Sequence, residues 1–224
     1  MMCGLKLDVG GIKIKLQIND YKRLVRRNLQ TDLRQVRTTE KKLSEMTLEE
    51  LWQLFPICLT EHQSCWQEWY SEEEKLLKRT LSSNERISHI GSTATPSIWA
   101  KPIVDILVEI PKERNLLEYK VPIINNGYIC MSKSENGLSF NKGYTEKGFA
   151  ERVFHLHLRY AGNNNELYFR DYLIEHPDTA REYEKLKLKL WKKYEYNRDG
   201  YTNAKTEFVK QYTAKARALY ENRY

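Results

Sequence analysis

The residues with the clearest chemical potential lie in the segment 89–110. Gly91 follows a predicted strand and removes side-chain bulk where the backbone turns, and Ser92 and Thr93 supply hydroxyl and backbone N–H groups. Such a turn can cradle a phosphate, because its N–H groups carry partial positive charge. Asp105 lies in the next apolar strand, where a carboxylate is costly unless polar partners or a metal ion compensate it. The segment therefore predicts phosphate binding at the turn, with Asp105 either a metal ligand or an acceptor of hydrogen bonds from loop amides.

A second group of polar side chains lies on the predicted strand FHLHLR, residues 154–159. His155, His157 and Arg159 share one face of this strand, and the apolar residues between them share the other, which is expected to be core. Two histidines at this spacing can share a metal ion or a phosphate; the alternative is a polar sheet surface. A zinc site is not expected, because no other cluster of zinc ligands accompanies them. We expect both histidines to face the same cavity as Asp105, from a neighbouring strand.

Three further cationic side chains are candidates for that cavity. Lys101 is close in sequence to the Gly-Ser turn, where it suits a phosphate counter-charge. Arg170 is followed by Asp171, and such a pair is often structural, whereas a guanidinium can also grip phosphate as a planar fork. Lys205 begins the last predicted helix and is either a solvated lysine or another phosphate ligand.

The elements that must position these residues follow from hydrophobic periodicity and turn signals. Thr47 and Glu50 form a predicted capping box, and Thr60 with Gln63 is expected to open the next helix. Predicted helices cover 48–55, 60–81, 115–125 and most of 166–224, with breaks near 176–177 and 197–200; predicted strands cover 86–90, 103–110, 128–132, 138–141 and 153–160. Helices, then a mixed sheet, then a C-terminal helical bundle indicate an α+β fold.

The first 42 residues form a basic arm. Apolar and polar residues alternate on both sides of Gly10-Gly11, which predicts a two-residue β-hairpin, and helical spacing follows over about 21–36. Residues 1–42 hold 11 Lys and Arg against 4 Asp and Glu, whereas residues 43–224 hold 26 of each, so the arm carries the whole net charge of +7. The arm either binds RNA or a membrane surface, or it presents a solvated polar face. We predict that the remainder of the chain folds without it.

Composition bounds the class of protein. With 224 residues, 41% of them hydrophobic, the chain can bury a core, which excludes wholesale disorder. No run approaches the roughly 20 apolar residues that span a bilayer, and the N-terminus shows no apolar region of a secretory signal. The four cysteines form no CxxC pair and suit a reducing compartment better than a disulfide or zinc framework. We therefore expect a cytoplasmic protein with no membrane partner.

The segment 89–110 resembles the signature of the GrpB family, H-I-G-S-T-x-x-x-G-x-x-x-K-P-x-x-D-I-L-V. The matching positions are His89, Ile90, Gly91, Ser92, Thr93, Lys101, Pro102, Asp105, Ile106, Leu107 and Val108. Ser97 stands where the family usually has glycine. The similarity continues through the segments 52–56, 140–143, 155–157 and 169–173 and ends with Tyr201, Lys205 and Phe208. It covers about residues 43–220 and leaves the basic arm outside.

The resemblance implies a nucleotidyltransferase-like α+β domain over 43–224, with a small mixed sheet, flanking helices and a C-terminal helical bundle, and residues 1–42 as an added hairpin-helix arm. In active members of that superfamily, two carboxylates two positions apart and a third on a neighbouring strand hold divalent metal ions. Here Ile103 and Leu107 flank Asp105 at those positions. Glu109 is four residues along, about 13 Å away on a strand. The paired carboxylate is therefore missing.

Two functions are compatible with this resemblance. The first is transfer of a nucleotidyl group from a nucleoside triphosphate to an unknown hydroxyl or amine. Asp105 would hold Mg²⁺, Gly91, Ser92 and Thr93 would bind phosphate, and His157 would position or deprotonate the acceptor. The second is a non-catalytic module that binds a nucleotide or phosphorylated metabolite through Lys101, His155, His157, Arg170 and Lys205. The missing carboxylate favours the second function, and nucleic acid is expected as a partner only of the basic arm.

Overall fold

The computed structural model describes residues 41–81, 85–221 and 223–224 in full, and the backbone of Gly4–Val9 and Ile12–Gln17. The α-helices are α1 (Leu48–Leu54), α2 (Cys65–Thr80), α3 (Lys120–Asn125), α4 (Asn165–Glu175), α5 (Pro177–Lys193), α6 (Arg198–Asn203) and α7 (Thr206–Leu219). The strands are β1 (Gly4–Val9), β2 (Ile12–Gln17), β3 (Arg86–Ile90), β4 (Val104–Ile110), β5 (Ile129–Ser134), β6 (Gly137–Thr145) and β7 (Gly148–Tyr160). Short 3-10 turns cover Leu43–Glu45, Ser92–Ala94 and Leu116–Tyr119.

In the part of the chain that the structure describes, β3 to β7 form a five-stranded sheet in the order β3-β4-β7-β6-β5. The pairing of β4 with β7 is parallel, and the other pairings are antiparallel. Helices precede the sheet, α3 lies within its sequence, and α4 to α7 follow it. The predicted α+β class, with a mixed sheet, flanking helices and a helical C-terminal part, is therefore confirmed.

The two faces of the sheet differ in what covers them. On one face the apolar residues of β4 and β7, such as Ile106 and Leu156, join Trp66, Tyr70 and Leu77 of α2 in the largest buried cluster. The opposite face carries Asp105, Leu107 and Glu109 on β4 and the histidines of β7, and Leu107 packs against Leu167 of α4. The predicted division of FHLHLR into a core face and a polar face is therefore correct.

Most predicted boundaries agree with the structure, and α2 is the main exception. Thr47 caps α1 as expected, in a capping box with Glu50. Helix α2, however, begins at Cys65 rather than at Thr60. Thr60 instead pairs with Ala100 through two backbone hydrogen bonds of 2.9 Å. A long-range backbone partner thus outweighs the local capping signal.

The described part of the basic arm is a hairpin. Strands β1 and β2 are antiparallel, and Val9 lies opposite Ile12, which leaves two residues between them as predicted. The helix predicted over about 21–36 lies outside the described residues. The division of the chain at residue 42 stays a prediction.

Two expectations about the environment of the protein can be compared with the structure. None of the described helices is long and apolar enough to cross a membrane. Cys58 and Cys130 are reduced, whereas Cys65 is disulfide-bonded. The expectation that the cysteines stay reduced is therefore wrong at Cys65.

Candidate functional site

Asp105 lies near the start of β4, between the two neighbouring strands. In the sheet register it is opposite Ile90, the last residue of β3, and beside His155 of β7. Its side chain is 28% exposed, so one side of the carboxylate reaches solvent. The sequence predicted this position, at a strand end next to the Gly-Ser turn and open to water.

The turn after β3 can only be this close to Asp105 because residue 91 is glycine. Gly91 has a φ of 71°, in the left-handed region that favours glycine. A Cβ atom built on it would lie 2.4 Å from Oδ2 of Asp105. Behind the turn, His89 is buried and stacked on Tyr70, and its Nε2 is 3.0 Å from the hydroxyl of Thr93. The turn is therefore fixed from both sides.

His155 contacts Asp105 directly, with 3.2 Å between its Nδ1 and Oδ1 of the carboxylate. His157 is further away, 4.0 Å from the same oxygen, and its Nδ1 is 3.4 Å from the guanidinium of Arg159. Burial lowers the pKa of His157 to about 4, and the nearby Arg159 adds to this effect against the opposing pull of Asp105. His157 is therefore neutral near pH 7.

Burial by itself would raise the pKa of Asp105, but its neighbours reverse the direction. The hydrogen bond from His155 and the electrostatic interactions with His155, His157 and Lys101 together lower the pKa below its ordinary value. Asp105 is therefore a carboxylate at neutral pH. It is a hydrogen-bond acceptor on the wall of the site.

A cavity of about 140 Å³ opens in front of the turn and Asp105. The residues that line it come from the loop before α2, the segment between β3 and β4, strands β4 and β7, and the C-terminal helical part: Leu59, Gly91, Ser92, Thr93, Lys101, Ile103, Asp105, His155, Tyr183, Lys187, Tyr201 and Lys205. We call this the lysine cavity, because its lining includes three lysines, Lys101, Lys187 and Lys205. The sequence predicted that Lys101 and Lys205 would be near the turn, and the structure brings both there.

Protonation of the three lysines is less favourable than in water. Burial lowers the pKa of Lys101 and Lys187 to about 7 and that of Lys205 to about 8. Repulsion from Lys205 adds to the effect at both Lys101 and Lys187, whereas Asp105 opposes it at Lys101 and Lys205. Their mutual repulsion and incomplete solvation would both be relieved by an anion.

Sequence reasoning missed Lys187, although a signal for it exists. Its side chain is only 2% exposed, and its ammonium group donates to the backbone carbonyl of Trp99. Along α5, Lys187 comes four residues after Tyr183 and three before Leu190, both of which are buried. A lysine in the middle of an apolar helical stripe is a candidate for a site, because a buried ammonium group needs partners.

Two predicted site residues are not among those lining the lysine cavity. His157 lies two residues further along β7 than His155, which lines the cavity. Arg170 lies behind the turn, where its guanidinium donates to the carbonyl of His89 at 2.8 Å, to Asp171 and to Tyr224. These partners favour the structural alternative for Arg170, which then supports the turn rather than a ligand.

The residues present do not fit a two-metal centre. In the described residues, no group of three or more His, Cys, Asp and Glu side chains could hold a metal ion. Glu109 does not reach the site, because its buried carboxylate is bonded to Arg86, Asn164 and the N–H of Gly162. The cationic side chains that line this cavity are lysines.

The fold and the site together define a class: an α+β domain in which a Gly-Ser turn and an acidic strand meet C-terminal helices over a cationic cavity. The GrpB protein family matches residues 56–215, and the chain belongs to this family. A crystal structure of the conserved protein GrpB from Enterococcus faecalis is 30% identical, with a TM-score of 0.63, and the match covers 73% of this chain and 99% of that one.

Relatives from other bacteria extend this similarity. The UPF0157 protein YqkA of Bacillus subtilis is 36% identical over 149 residues, 65% of this chain and 43% of YqkA. The glutamate-rich protein GrpB of Alkalihalophilus pseudofirmus is 31% identical over 159 residues, 68% of this chain and 91% of that protein. The chain thus spans less than half the length of YqkA. A structure of the Cid1 poly(U) polymerase aligns with a TM-score of 0.42 and 12% identity, too distant to support an inference about activity.

Proposed function

We propose that the lysine cavity binds the phosphate groups of a nucleotide or a small phosphorylated metabolite, without a requirement for a metal ion. The observation that carries this proposal is the convergence of Lys101, Lys187 and Lys205 on one cavity next to the Gly91–Thr93 turn. Ammonium groups and turn N–H groups are both suited to phosphate oxygens. Lysines that are costly to charge in the empty cavity become favourable partners once an anion is present.

The size of the cavity limits what it encloses. Its volume of about 140 Å³ is below the roughly 300–1,000 Å³ of pockets that bury a drug-sized ligand. A phosphate or a short phosphate chain fits such a space, and a base or a larger organic group would extend beyond it. The enclosed part of the ligand is therefore its anionic end.

Nucleotidyl transfer to a hydroxyl or amine is the second candidate function. In that reaction the acceptor atom bonds the α-phosphorus of a nucleoside triphosphate, the acceptor loses a proton, and diphosphate leaves. Asp105 beside the Gly-Ser turn supports this candidate, as does neutral His157, which can take up a proton. The single carboxylate and its lysine neighbours favour the binding function, because they do not provide the carboxylate set for Mg²⁺.

Isothermal titration of the full chain tests these alternatives. Inorganic phosphate, diphosphate, triphosphate and ATP are each titrated in EDTA and again with Mg²⁺. We expect binding in EDTA, and a ligand at 100 times its Kd should stabilise the fold by about 2.7 kcal/mol. Binding that appears only with Mg²⁺ would favour nucleotidyl transfer. The absence of binding under both conditions would contradict both functions.

Lys187→Met gives the matched test of the cavity. Methionine keeps the length of the side chain and removes its charge, so affinity for triphosphate should fall about 30-fold, which is about 2 kcal/mol. Folding stability should change by less than about 1 kcal/mol, because removal of a buried ammonium group offsets the hydrogen bond lost at the carbonyl of Trp99. Lys189→Met is the control, because Lys189 is an exposed residue of the same helix. Equal affinities in the two variants would exclude the cavity as the binding site.

We also propose that residues 1–42 form a separate unit, that the protein is cytoplasmic, and that nucleic acid, if bound, contacts the basic arm. The concentration of the net charge in these residues supports this division. Deleting residues 1–42 should leave a cooperatively unfolding protein that still binds triphosphate. Aggregation of the shortened chain would show that the arm covers part of the core.

A further inference from the structure

A chain of hydrogen bonds leads from helix α6 to Asp105. Arg198 donates from Nη2 to the phenolic oxygen of Tyr144 at 3.0 Å, and this oxygen is 2.8 Å from Nε2 of His155. Nδ1 of the same ring is 3.2 Å from Oδ1 of Asp105. We infer that Tyr144 and Arg198 are positioning residues that fix the ring of His155 and, through it, direct Asp105 at a hydroxyl or amino group of the phosphorylated ligand. This inference rests on the proposed function.

The donors and acceptors of this chain assign the tautomer of His155. Nδ1 must carry a hydrogen, because it faces the carboxylate of Asp105. Arg198 already donates to Tyr144, so the hydroxyl hydrogen of Tyr144 is directed at Nε2 of His155. A neutral ring with hydrogen on Nδ1 satisfies every contact without placing a second cation beside Arg198.

The backbone brings Tyr144 to this position through a bulge in β6. The register between β6 and β7 shifts between Lys142 and Tyr144. Gly143, within the bulge, has a φ of 92°, and a Cβ there would lie 2.3 Å from the carbonyl oxygen of Arg152. Bulges re-aim side chains in this way, and here Tyr144 is placed over His155.

Packing then holds the phenol ring in one orientation. The ring of Tyr144 contacts Phe55, with 4.8 Å between centroids, and Phe149, with 5.2 Å. The guanidinium of Arg198 lies 5.5 Å from the centre of the same ring. A ring enclosed in this way has little rotational freedom, so the hydrogen bond to His155 is preorganised.

The position of Asp105 determines what it can recognise. His155 engages Oδ1, and Oδ2 is directed at Gly91, on the wall of the lysine cavity. A carboxylate repels phosphate oxygens but accepts strongly from O–H and N–H donors. The ligand class that suits both the lysines and Asp105 is therefore a phosphate ester with a hydroxyl or amino group near its phosphate. Its phosphate would contact the lysines, and its hydroxyl or amino group would donate to Asp105.

A matched pair of probes tests the ligand half of this inference. Glycerol 3-phosphate and n-propyl phosphate share a phosphate ester and a three-carbon chain, but only the first carries hydroxyl groups. The wild-type protein should bind glycerol 3-phosphate about tenfold more tightly, since hydrogen bonds to charged groups are the strong ones. Asp105→Ala should abolish this preference. Equal binding by the wild type overturns the inference and leaves phosphate binding intact, whereas binding of neither probe overturns both.

The positioning half is tested by two measurements. The first is the tautomer of His155 in the free protein, where the ligand has no influence, and the second is the preference between the two probes. The ¹⁵N shifts of His155 should show a protonated Nδ1 and an unprotonated Nε2. Tyr144→Phe, and independently Arg198→Gln, should change the tautomer mixture and reduce the preference for glycerol 3-phosphate at least threefold. Tyr196→Phe is the control, because Tyr196 is an exposed tyrosine elsewhere on the surface. An unchanged spectrum in both variants would refute the positioning role.

Discussion

The two acidic residues of β4, Asp105 and Glu109, point to the same face of the sheet from opposite ends of the strand. Glu109 is 2% exposed, and both its oxygens have partners: Arg86 on one, and Asn164 and the N–H of Gly162 on the other. Asp105 is 28% exposed and shares a wall of the lysine cavity. One strand therefore carries a carboxylate that holds the fold together and another that is available to a ligand.

The largest effect on the free energy of unfolding is expected from removing the carboxylate of Glu109, both of whose oxygens have hydrogen-bond partners. Glu109→Ala should lower the free energy of unfolding by about 2–4 kcal/mol, because it leaves Asn164 and the Gly162 amide without their acceptor. Asp105→Asn should cost less than about 1 kcal/mol, since the amide oxygen can still accept from His155. Urea unfolding of both variants measures the difference. Similar losses at both positions would break the distinction between the two ends of β4.

The next effect concerns the approach of the turn to Asp105. Gly91→Ala should cost about 2–3 kcal/mol and displace the carboxylate, because the added Cβ meets Oδ2 and adopts a φ that alanine disfavours. Gly162→Ala separates these causes: Gly162 has a φ of 88°, but nothing lies within 4 Å of its would-be Cβ. That control should lose only about 1 kcal/mol. If both variants lose the same amount, close packing against Asp105 is not what requires glycine at position 91.

The affinity of the lysine cavity for a phosphorylated ligand should also depend on pH. The pKa values of about 7 for Lys101 and Lys187 and about 8 for Lys205 mean that these lysines lose their protons as the pH rises from 7 to 9. A phosphate monoester is already a dianion above about pH 6, so the ligand does not change charge over this range. Affinity should therefore fall about tenfold between pH 7 and 9, and binding at pH 8 should take up protons. Titrations in buffers of different ionisation enthalpy measure both quantities, and a constant affinity would refute the role of the lysines.

The smallest effect is expected at Ser97, in the loop that joins β3 to the end of β4 where Asp105 lies. Ser97 has a φ of 79°, which a side chain disfavours. Ser97→Gly should raise the free energy of unfolding by about 1 kcal/mol, whereas Ser97→Ala, which keeps a Cβ, should bring no gain. Thermal unfolding compares the two variants. A loss of stability in Ser97→Gly would show that the serine side chain contributes more than the strain costs.

Much of the fold could be predicted because its signals are local. The alternation around Gly10-Gly11, the capping box at Thr47 and the apolar strand around Asp105 each depend on residues close in sequence. The start of α2 was predicted wrongly because Thr60 has a distant backbone partner in Ala100. Ser97 stands where the resemblance implies glycine, and its positive φ is one that favours glycine.

The site could be predicted only in part for the same reason. The Gly-Ser turn, Asp105 and His155 were recognisable from residue type and spacing. Tyr144 depends on a bulge that changes which face of β6 it occupies, and no alternation pattern reveals such a shift. Lys187 comes from a helix whose position over the sheet is set by tertiary packing. The predicted role of Arg170 changed because its guanidinium meets the carbonyl of His89 rather than the cavity.

The parallel pairing of β4 with β7 has a consequence for how the protein folds. Asp105 and His155 are neighbours in this pairing although 50 positions separate them. Strands β5, β6 and β7 are joined by short connections and can pair early, whereas closing the long loop between β4 and β7 has a higher entropic cost. We therefore expect the ligand site to be absent from early folding intermediates and to appear only when β4 docks on β7. A phosphorylated ligand would then bind the finished fold alone and act as a reporter of the last step of folding.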